Sequence, residues 1–207
     1  MTENLTFSFK GKTAIVTGGA SGMGRAVALR LGEYGSNVVV VTGHNTAGGE
    51  ETVRMIKENG GEATFIQCDI SCEEQVKNMV EKAVELYGSL SYAFNNAGVG
   101  PDGARIPFAP LTDFDSSDFN KIVNVNLCGL FYCLKYELRQ MKAQGTGGSI
   151  VNTSSVGGIR MVPGFGAYGP SKAAVNAITQ TAALENGQYG IRVNVVCPGP
   201  TLGTTLM

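Results

Sequence analysis

The sequence predicts an α/β fold in which a parallel sheet is covered by helices on both faces. Three observations carry that expectation. Apolar runs of strand length alternate with longer amphipathic stretches along the chain. The runs are continuous rather than alternating, as in Asn37–Val41, which suits strands buried on both faces. No linker, low-complexity stretch or repeat divides the 207 residues, of which 43% are apolar, so one domain with one sizeable core is expected over 1–207.

The elements follow in order. Lys12–Thr17 reads as a buried strand, and Gly22–Tyr34 as a helix with Val27, Leu31 and Tyr34 on one face. Asn37–Val41 is a second strand. Ala47–Asn59 is a helix stopped by Gly60 and Gly61. After a third strand, Ala63–Gln67, the run Ser71-Cys72-Glu73-Glu74 reads as a capping box opening a helix to Tyr87, with Gly88 beyond its end. Leu90–Asn95 is a fourth strand and Gly98–Pro110 a loop. One long helix is expected over Ser116–Ala143, then a strand at Ser149–Ser154, a helix at Tyr168–Gly187 and a strand at Arg192–Val196. Residues 197–207 read as loop. Right-handed crossovers turn this order into a doubly wound sheet.

Composition narrows the function. A net charge of −1 lacks the basic excess of a nucleic-acid binder. No apolar run approaches the ~20 residues of a membrane span. The start, MTENLTFSFKGK, has no apolar signal-peptide core, so a cytoplasmic location is expected. The five cysteines, Cys68, Cys72, Cys128, Cys133 and Cys197, are scattered and lack zinc-site spacing, which suits free thiols in a reducing compartment. His44 is the single histidine, so a Ser-His-Asp hydrolase or a histidine-rich metal site would rest on that one side chain; no metal is expected. Glycine is the outlier at 29 residues, about twice the usual share, which points to turns and close backbone approaches.

The most telling glycines follow the first strand. In Thr17-Gly18-Gly19-Ala20-Ser21-Gly22-Met23-Gly24, glycines let the backbone approach a pyrophosphate, and the helix that opens there contributes unpaired N–H groups and a positive dipole end. The spacing, TGxxxGxG, resembles the short-chain dehydrogenase/reductase family rather than the TGxxGxxG of its extended branch. Further motifs agree in order and context: Asn95-Asn96-Ala97-Gly98 ends the fourth strand, Asn126 lies in the long helix, Ser155 ends the fifth strand, Tyr168 and Lys172 form a Tyr-x3-Lys pair, and Pro198-Gly199 follows the sixth strand. A Tyr-x3-Lys pair with a serine thirteen residues upstream would arise by chance only about 0.02 times in such a chain. The resemblance runs from about Lys10 to Gly199 and implies a Rossmann-like fold. It also implies a last strand and part of a substrate lid beyond what this chain holds.

The chemistry explains the residue types. Reducing a carbonyl needs a hydride on its carbon and a proton on its oxygen. A phenol ordinarily loses its proton near ~10, and an ammonium close by favours the phenolate. The Tyr-x3-Lys spacing puts both groups on one helical face, so Tyr168 is the candidate general acid for reduction and base for oxidation. Ser155 would orient the substrate oxygen; Ser154 stands one residue off that spacing. The resemblance implies that Lys172 also binds the nicotinamide ribose and that Asn126 holds a proton-relaying water. Pro170 is tolerable if the helix starts near Tyr168.

The same resemblance assigns the cofactor contacts to Gly18, Ser21, Gly22, Met23, Gly24, His44, Asp69, Ile70, Asn96, Ala97, Gly98, Tyr168, Lys172, Pro198 and Gly199, with Asp69 against the adenine. Gly43 stands where NAD-dependent members carry an acidic residue, and the missing carboxylate removes repulsion against a 2′-phosphate. Thr42, His44 and Asn45 offer hydrogen bonds there. NADP(H) is therefore favoured over NAD(H), although Ser21 stands where many NADP-dependent members are basic. Ser91 replaces the family's usual Asp. The family's carboxamide-contacting threonine is left open among Thr201, Thr204 and Thr205.

Loops Val99–Pro110 and Val156–Ala167 carry Ile106, Phe108, Ile159, Met161, Val162 and Phe165 beside Arg105 and Arg160, which suits either an apolar substrate with a secondary alcohol or ketone, or cover by a lid or a neighbouring subunit. The apolar residues of the long helix (Val123, Leu127, Leu130, Phe131, Leu134, Leu138) occupy more than one face, which suggests a homodimer or homotetramer. A nucleotide-binding regulator or inactive scaffold of the same fold is the rival, but such relatives usually lose the Tyr or the Lys.

Overall fold

The computed structural model describes residues 8–201. Among the described residues six parallel strands form one sheet in the order β3-β2-β1-β4-β5-β6. They are β1 (Thr13–Thr17), β2 (Asn37–Thr42), β3 (Glu62–Gln67), β4 (Tyr92–Asn95), β5 (Gly148–Thr153) and β6 (Ile191–Val196). The helices are α1 (Gly22–Glu33), α2 (Thr46–Glu58), α3 (Glu73–Tyr87), α4 (Ser116–Val123), α5 (Leu130–Gln144) and α6 (Tyr168–Asn186).

Strand pleating sorts the core into two layers. Val16, Val38 and Val40 face Ala28 of α1 and Ile56 of α2. Ile15, Val39 and Val41 point the other way, into a larger cluster with Met79 and Val80 of α3, Leu134 of α5 and Val175 of α6. Every residue of β1 is buried, as a strand with helices on both faces must be. Ser91 extends the pairing through its backbone: its N–H donates to Thr13 O at 2.9 Å and its carbonyl accepts from Ser149 N at 3.0 Å.

Two expectations need correction. The Ser71 capping box does not form. Cys72 is the N-cap of α3 and makes no side-chain cap bond. The Ser71 hydroxyl instead donates to Asp69 Oδ1 at 2.7 Å, and the same oxygen accepts from Ser71 N at 2.9 Å, so Asp69 closes the turn and holds Ser71 away from the helix end. Gly88 does end α3 as expected, in the left-handed conformation at φ 80°.

The long helix is not one α-helix either. A π-helical segment, Asn124–Gly129, separates α4 from α5. Two contacts accompany the wider turn. Gly129 packs so closely on Ile70 that a Cβ there would lie 2.9 Å from the isoleucine side chain. Asn126 bonds the Val99 backbone from the middle of the segment. Such segments recur at functional sites, and this one carries a predicted site residue.

Candidate active site

The strand order reverses at β1, whose neighbours are β2 and β4, and open α/β sheets bind ligands in the crevice beyond the carboxyl ends of the strands at such a point. The glycine loop, Gly18 to Gly24, lies there. Gly18 has φ +66°, a conformation most residues avoid. A Cβ on Gly24 would sit 2.1 Å from Gly18 O, so only glycine lets helix α1 start this close to the loop. Ser21 is the N-cap of α1 but makes no side-chain cap bond, and the first turn holds no acidic residue. Close backbone approach and uncapped N–H groups at a helix start fit a dinucleotide pyrophosphate. Met23 is half-buried in the same loop.

The Asn96–Gly98 turn is tied to the loop's base. Thr17 Oγ1 accepts from Asn96 N at 3.0 Å and Ala97 N at 3.2 Å. Across the crevice Gly43 is half-buried and His44 exposed, with no carboxylate at either position. Asn45 Oδ1 accepts from Gly48 N at 3.0 Å and caps α2. The Ile70 side chain, predicted at the cofactor, is buried in the core against Gly129. Arg25, which sequence reasoning missed, donates to the Ala20 carbonyl, to Gly48 O at 3.2 Å and to Thr52 Oγ1 at 2.9 Å. Its guanidinium therefore joins the glycine loop to the first turn of α2.

The predicted catalytic set converges on two glycines. A Cβ on Gly157 would lie 3.3 Å from Ser155 Oγ and 3.5 Å from the Tyr168 ring. One on Gly98 would lie 3.2 Å from Asn126 Oδ1 and 3.4 Å from Lys172 Nζ. Helix α6 begins at Tyr168, so Pro170 falls in the first turn, where it displaces no helical bond. Ser155 Oγ accepts from Gly157 N at 3.0 Å, which leaves its O–H free to donate. The Lys172 ammonium is buried, 5.8 Å from the Tyr168 ring centre, and donates to Thr153 O at 2.8 Å. Pro198 O accepts from Val156 N at 3.0 Å, which brings the end of β6 to the Ser155 turn. Gly199 is exposed.

Asn126 clamps the Val99 peptide, accepting from its N–H and donating to its carbonyl, each at 2.8 Å. It also donates to Ser171 Oγ at 3.0 Å, and Ser171 donates to Tyr168 O at 2.7 Å. Ser171 thus connects the π segment to the start of α6, a role its place inside the Tyr-x3-Lys pair did not announce. Ser154 Oγ donates to Lys172 O at 2.8 Å and packs rather than faces the crevice. Asn126, Lys172, Thr153, Asn95 and Thr17 line a cavity of about 10 Å³, room for about one water.

Burial pushes the Lys172 ammonium down to about 8 from its ordinary 10.5, with Cys197 opposing. Below pH 8 the native chain carries this buried charge at a cost of roughly 3 kcal/mol. Between pH 8 and 10.5 the unfolded chain holds a proton that the native one has released, so stability rises with pH there. Lys172→Met should therefore melt about 5 °C above the wild type at pH 7, after allowance for the lost bond to Thr153. The advantage should shrink toward pH 10.5. A lower melting temperature at pH 7 would contradict this account.

Comparison with known proteins agrees with the geometry. The family model described as short chain dehydrogenase matches residues 12–207. The chain belongs to the short-chain dehydrogenase/reductase family. It is 44% identical over 193 residues to the short chain dehydrogenase/reductase astE of Aspergillus oryzae, covering 93% of this chain and 72% of that protein. It is 42% identical over 189 residues to a 2,5-dichloro-2,5-cyclohexadiene-1,4-diol dehydrogenase of Sphingobium indicum, covering 91% and 72%. The NAD+-bound structure of a xylitol dehydrogenase superposes with a TM-score of 0.86 at 41% identity, covering 92% of this chain and 71% of the other.

In this short-chain dehydrogenase/reductase the two predicted substrate loops meet beside Tyr168. Ala109 N donates to Gly164 O at 3.1 Å. Phe108 packs on Phe165 with ring centres 5.1 Å apart, and Phe165 lies 6.2 Å from Tyr168. Ile159, Met161 and Val162 are exposed. Ile106 is not part of this surface. It is 2% exposed and packs with Ile122 and Ala167, because Asp102 Oδ1 accepts from the Ala104, Arg105 and Ile106 N–H groups and turns the chain inward. Arg105 is engaged by Asp102 at 2.7 Å. Thr201 Oγ1 donates to Gly199 O at 3.1 Å; Thr204 and Thr205 lie outside the described residues.

Proposed function

We propose that this short-chain dehydrogenase/reductase interconverts a secondary alcohol and a ketone with a nicotinamide cofactor. The convergence of Ser155, Tyr168, Lys172 and Asn126 beside the glycine cradle carries that reading. A bound nicotinamide supplies or accepts the hydride at the carbonyl carbon. The chain handles the oxygen and its proton. Ser155 donates a hydrogen bond to the substrate oxygen. Tyr168 Oη gives that oxygen its proton in reduction and takes it back in oxidation. Lys172 contributes positive charge beside the phenol and binds the ribose. Asn126 fixes the Val99 peptide and closes one side of the water-sized cavity, so that Lys172 can be resupplied with a proton. Ser21, Gly22, Met23 and Gly24 hold the pyrophosphate, while Asp69 and the Asn96–Gly98 turn bound the adenosine.

NADP(H) is the favoured cofactor. Gly43 brings no carboxylate to the 2′ position, and Arg25 brings a cation to the neighbouring loop. The NAD+ bound to the xylitol dehydrogenase of the same family favours the second reading, NAD(H). The wild-type ratio of kcat/KM for NADP(H) over NAD(H), expected to exceed one, decides between them, and Gly43→Asp tests its cause. A Cβ there meets only ordinary contacts, the nearest at 3.4 Å to Asp69 Cα, so the variant should fold. Its ratio of kcat/KM for NADP(H) over NAD(H) should fall by about 100-fold, or about 3 kcal/mol, as the new carboxylate repels the 2′-phosphate and bonds a 2′-hydroxyl. A wild-type ratio below one would refute the NADP(H) reading, and a ratio unchanged in the variant would refute the cause given for it.

Phe108 and Phe165 beside Tyr168 suit an apolar substrate, and Phe131, exposed on α5, suits association as a homodimer or homotetramer. The expected substrate is a small molecule, and the expected location is the cytoplasm. The reading as a whole is tested by the absorbance of NADPH and NADH against a panel of apolar ketones. Turnover of at least one is expected. Tight cofactor binding without turnover of any ketone or alcohol would leave a nucleotide-binding scaffold as the answer.

A further inference from the structure

Behind the crevice a line of buried polar side chains crosses the sheet. Glu137 on α5, Asn95 on β4, Asn152 on β5 and Thr179 on α6 are each 5% exposed or less. Asn95 Nδ2 donates to Glu137 Oε2 at 2.9 Å and to Asn152 Oδ1 at 3.1 Å, which uses both of its protons. Asn152 Nδ2 donates to Thr179 Oγ1 at 2.9 Å, and Thr179 donates to Val175 O at 2.7 Å. At the Glu137 end two buried acceptors, Glu137 Oε1 and Asn95 Oδ1, have no partner among the described residues. A carboxylate cannot satisfy an amide oxygen, since both only accept.

We propose that Glu137 is a positioning residue held as the neutral acid, its Oε1 proton donated to Asn95 Oδ1 so that acid and amide close a two-bond ring. One proton then satisfies both orphaned atoms. The ring fixes Asn95, which stands opposite Thr17 in the sheet register and directly before Asn96. Thr17 in turn accepts from the Asn96 and Ala97 N–H groups. The ring therefore sets the turn that bounds the cofactor, and the proposal rests on the reading of that turn given above.

The surroundings agree. Asn95, Asn152 and Thr179, facing from β4, β5 and α6, are neutral, and the thiol of Cys133, one turn earlier on α5, is itself held protonated by burial. Lys172 borders the same cavity as Asn95, but its ammonium is bonded to Thr153 O. No cation forms an ion pair with Glu137 among the described residues. Burial pushes its carboxyl up to about 7. The native chain keeps a proton that the unfolded chain releases near 4.5, so stability conferred by the ring falls as pH rises from about 4.5 to 7.

The test compares the wild type with Glu137→Gln and Glu137→Leu in the full chain, by thermal melting from pH 5 to 9 and by NADPH and NADH binding, neither of which needs turnover. A Gln amide accepts from Asn95 Nδ2 and donates to Asn95 Oδ1 at every pH. Glu137→Gln should bind cofactor within about twofold of the wild type at pH 6. Its melting temperature relative to the wild type should rise by about 5 °C between pH 5 and 8. Glu137→Leu should bind about tenfold more weakly than the wild type at pH 6, as a ring left open predicts. A Gln variant that melts parallel to the wild type at all pH, or that loses as much affinity as the Leu variant, overturns the proposal. If the Leu variant does not fold, the Gln comparison alone decides. Should none of the three proteins bind either cofactor, the nicotinamide reading fails, while the melting curves still decide the proton.

Discussion

Tyr168→Phe is expected to lower kcat by about 10³-fold in both directions, within the range that positioned acid–base groups contribute. The Kd for cofactor should stay within about twofold, and the melting temperature should not move. The asymmetry follows from what holds the ring. Tyr168 is gripped through its face: a Cβ on Gly100 would lie 2.7 Å from its Cδ2, Gly157 presses from another side, and Phe165 lies 6.2 Å away. Its main chain is fixed separately, through Ser171 to Asn126 and Val99. None of these contacts uses the hydroxyl, so removing one oxygen leaves the fold intact and takes away only the proton donor. A kcat within tenfold of the wild type would mean that another group carries the proton. A large rise in cofactor Kd would mean that the hydroxyl serves cofactor binding rather than proton transfer alone.

What could be read in the sequence was whatever local spacing encodes. The valines of β2, the glycines after β1 and the i, i+4 pair of Tyr168 and Lys172 all declare themselves along the chain, and the folded protein keeps them in those elements. What could not be read depended on contacts between distant segments. An apolar helical period does not distinguish an α-helix from one with a π turn, and the Asn126–Val99 contact spans 27 residues. Asp69 took the Ser71 hydroxyl from the helix start because a two-residue turn brings them together, a competition that a capping pattern does not reveal. Ile106 read as a substrate-loop residue until the Asp102 turn carried it inward. Glu137 did leave a trace. It shares the i, i+4, i+8 stripe of Cys133 and Met141, both fully buried, and a carboxyl on such a stripe is a buried polar group in search of a partner.

Gly24→Ala is expected to weaken cofactor binding by at least about 100-fold while the protein still folds. The added methyl would stand 2.1 Å from Gly18 O and 2.9 Å from Asn96 Nδ2. The first of these is main chain and cannot rotate aside, so either the start of α1 or the loop at Gly18 must move. Both border the pyrophosphate cradle, and a shift of about 1 Å misaligns N–H groups whose value lies in their placement. The strain should lower stability by about 1–3 kcal/mol, as overpacking generally does. Gly88→Ala is the control. Gly88 has φ +80° with nothing within 4 Å of a Cβ, so it should lose about 1 kcal/mol through backbone strain alone and bind cofactor as the wild type does. Equal stability losses with an affinity loss only at Gly24 would locate the cofactor phosphates at the loop. A Gly24→Ala protein that binds within threefold of the wild type would mean that the phosphates are held elsewhere, and the roles proposed for Ser21, Gly22 and Met23 would fall with it.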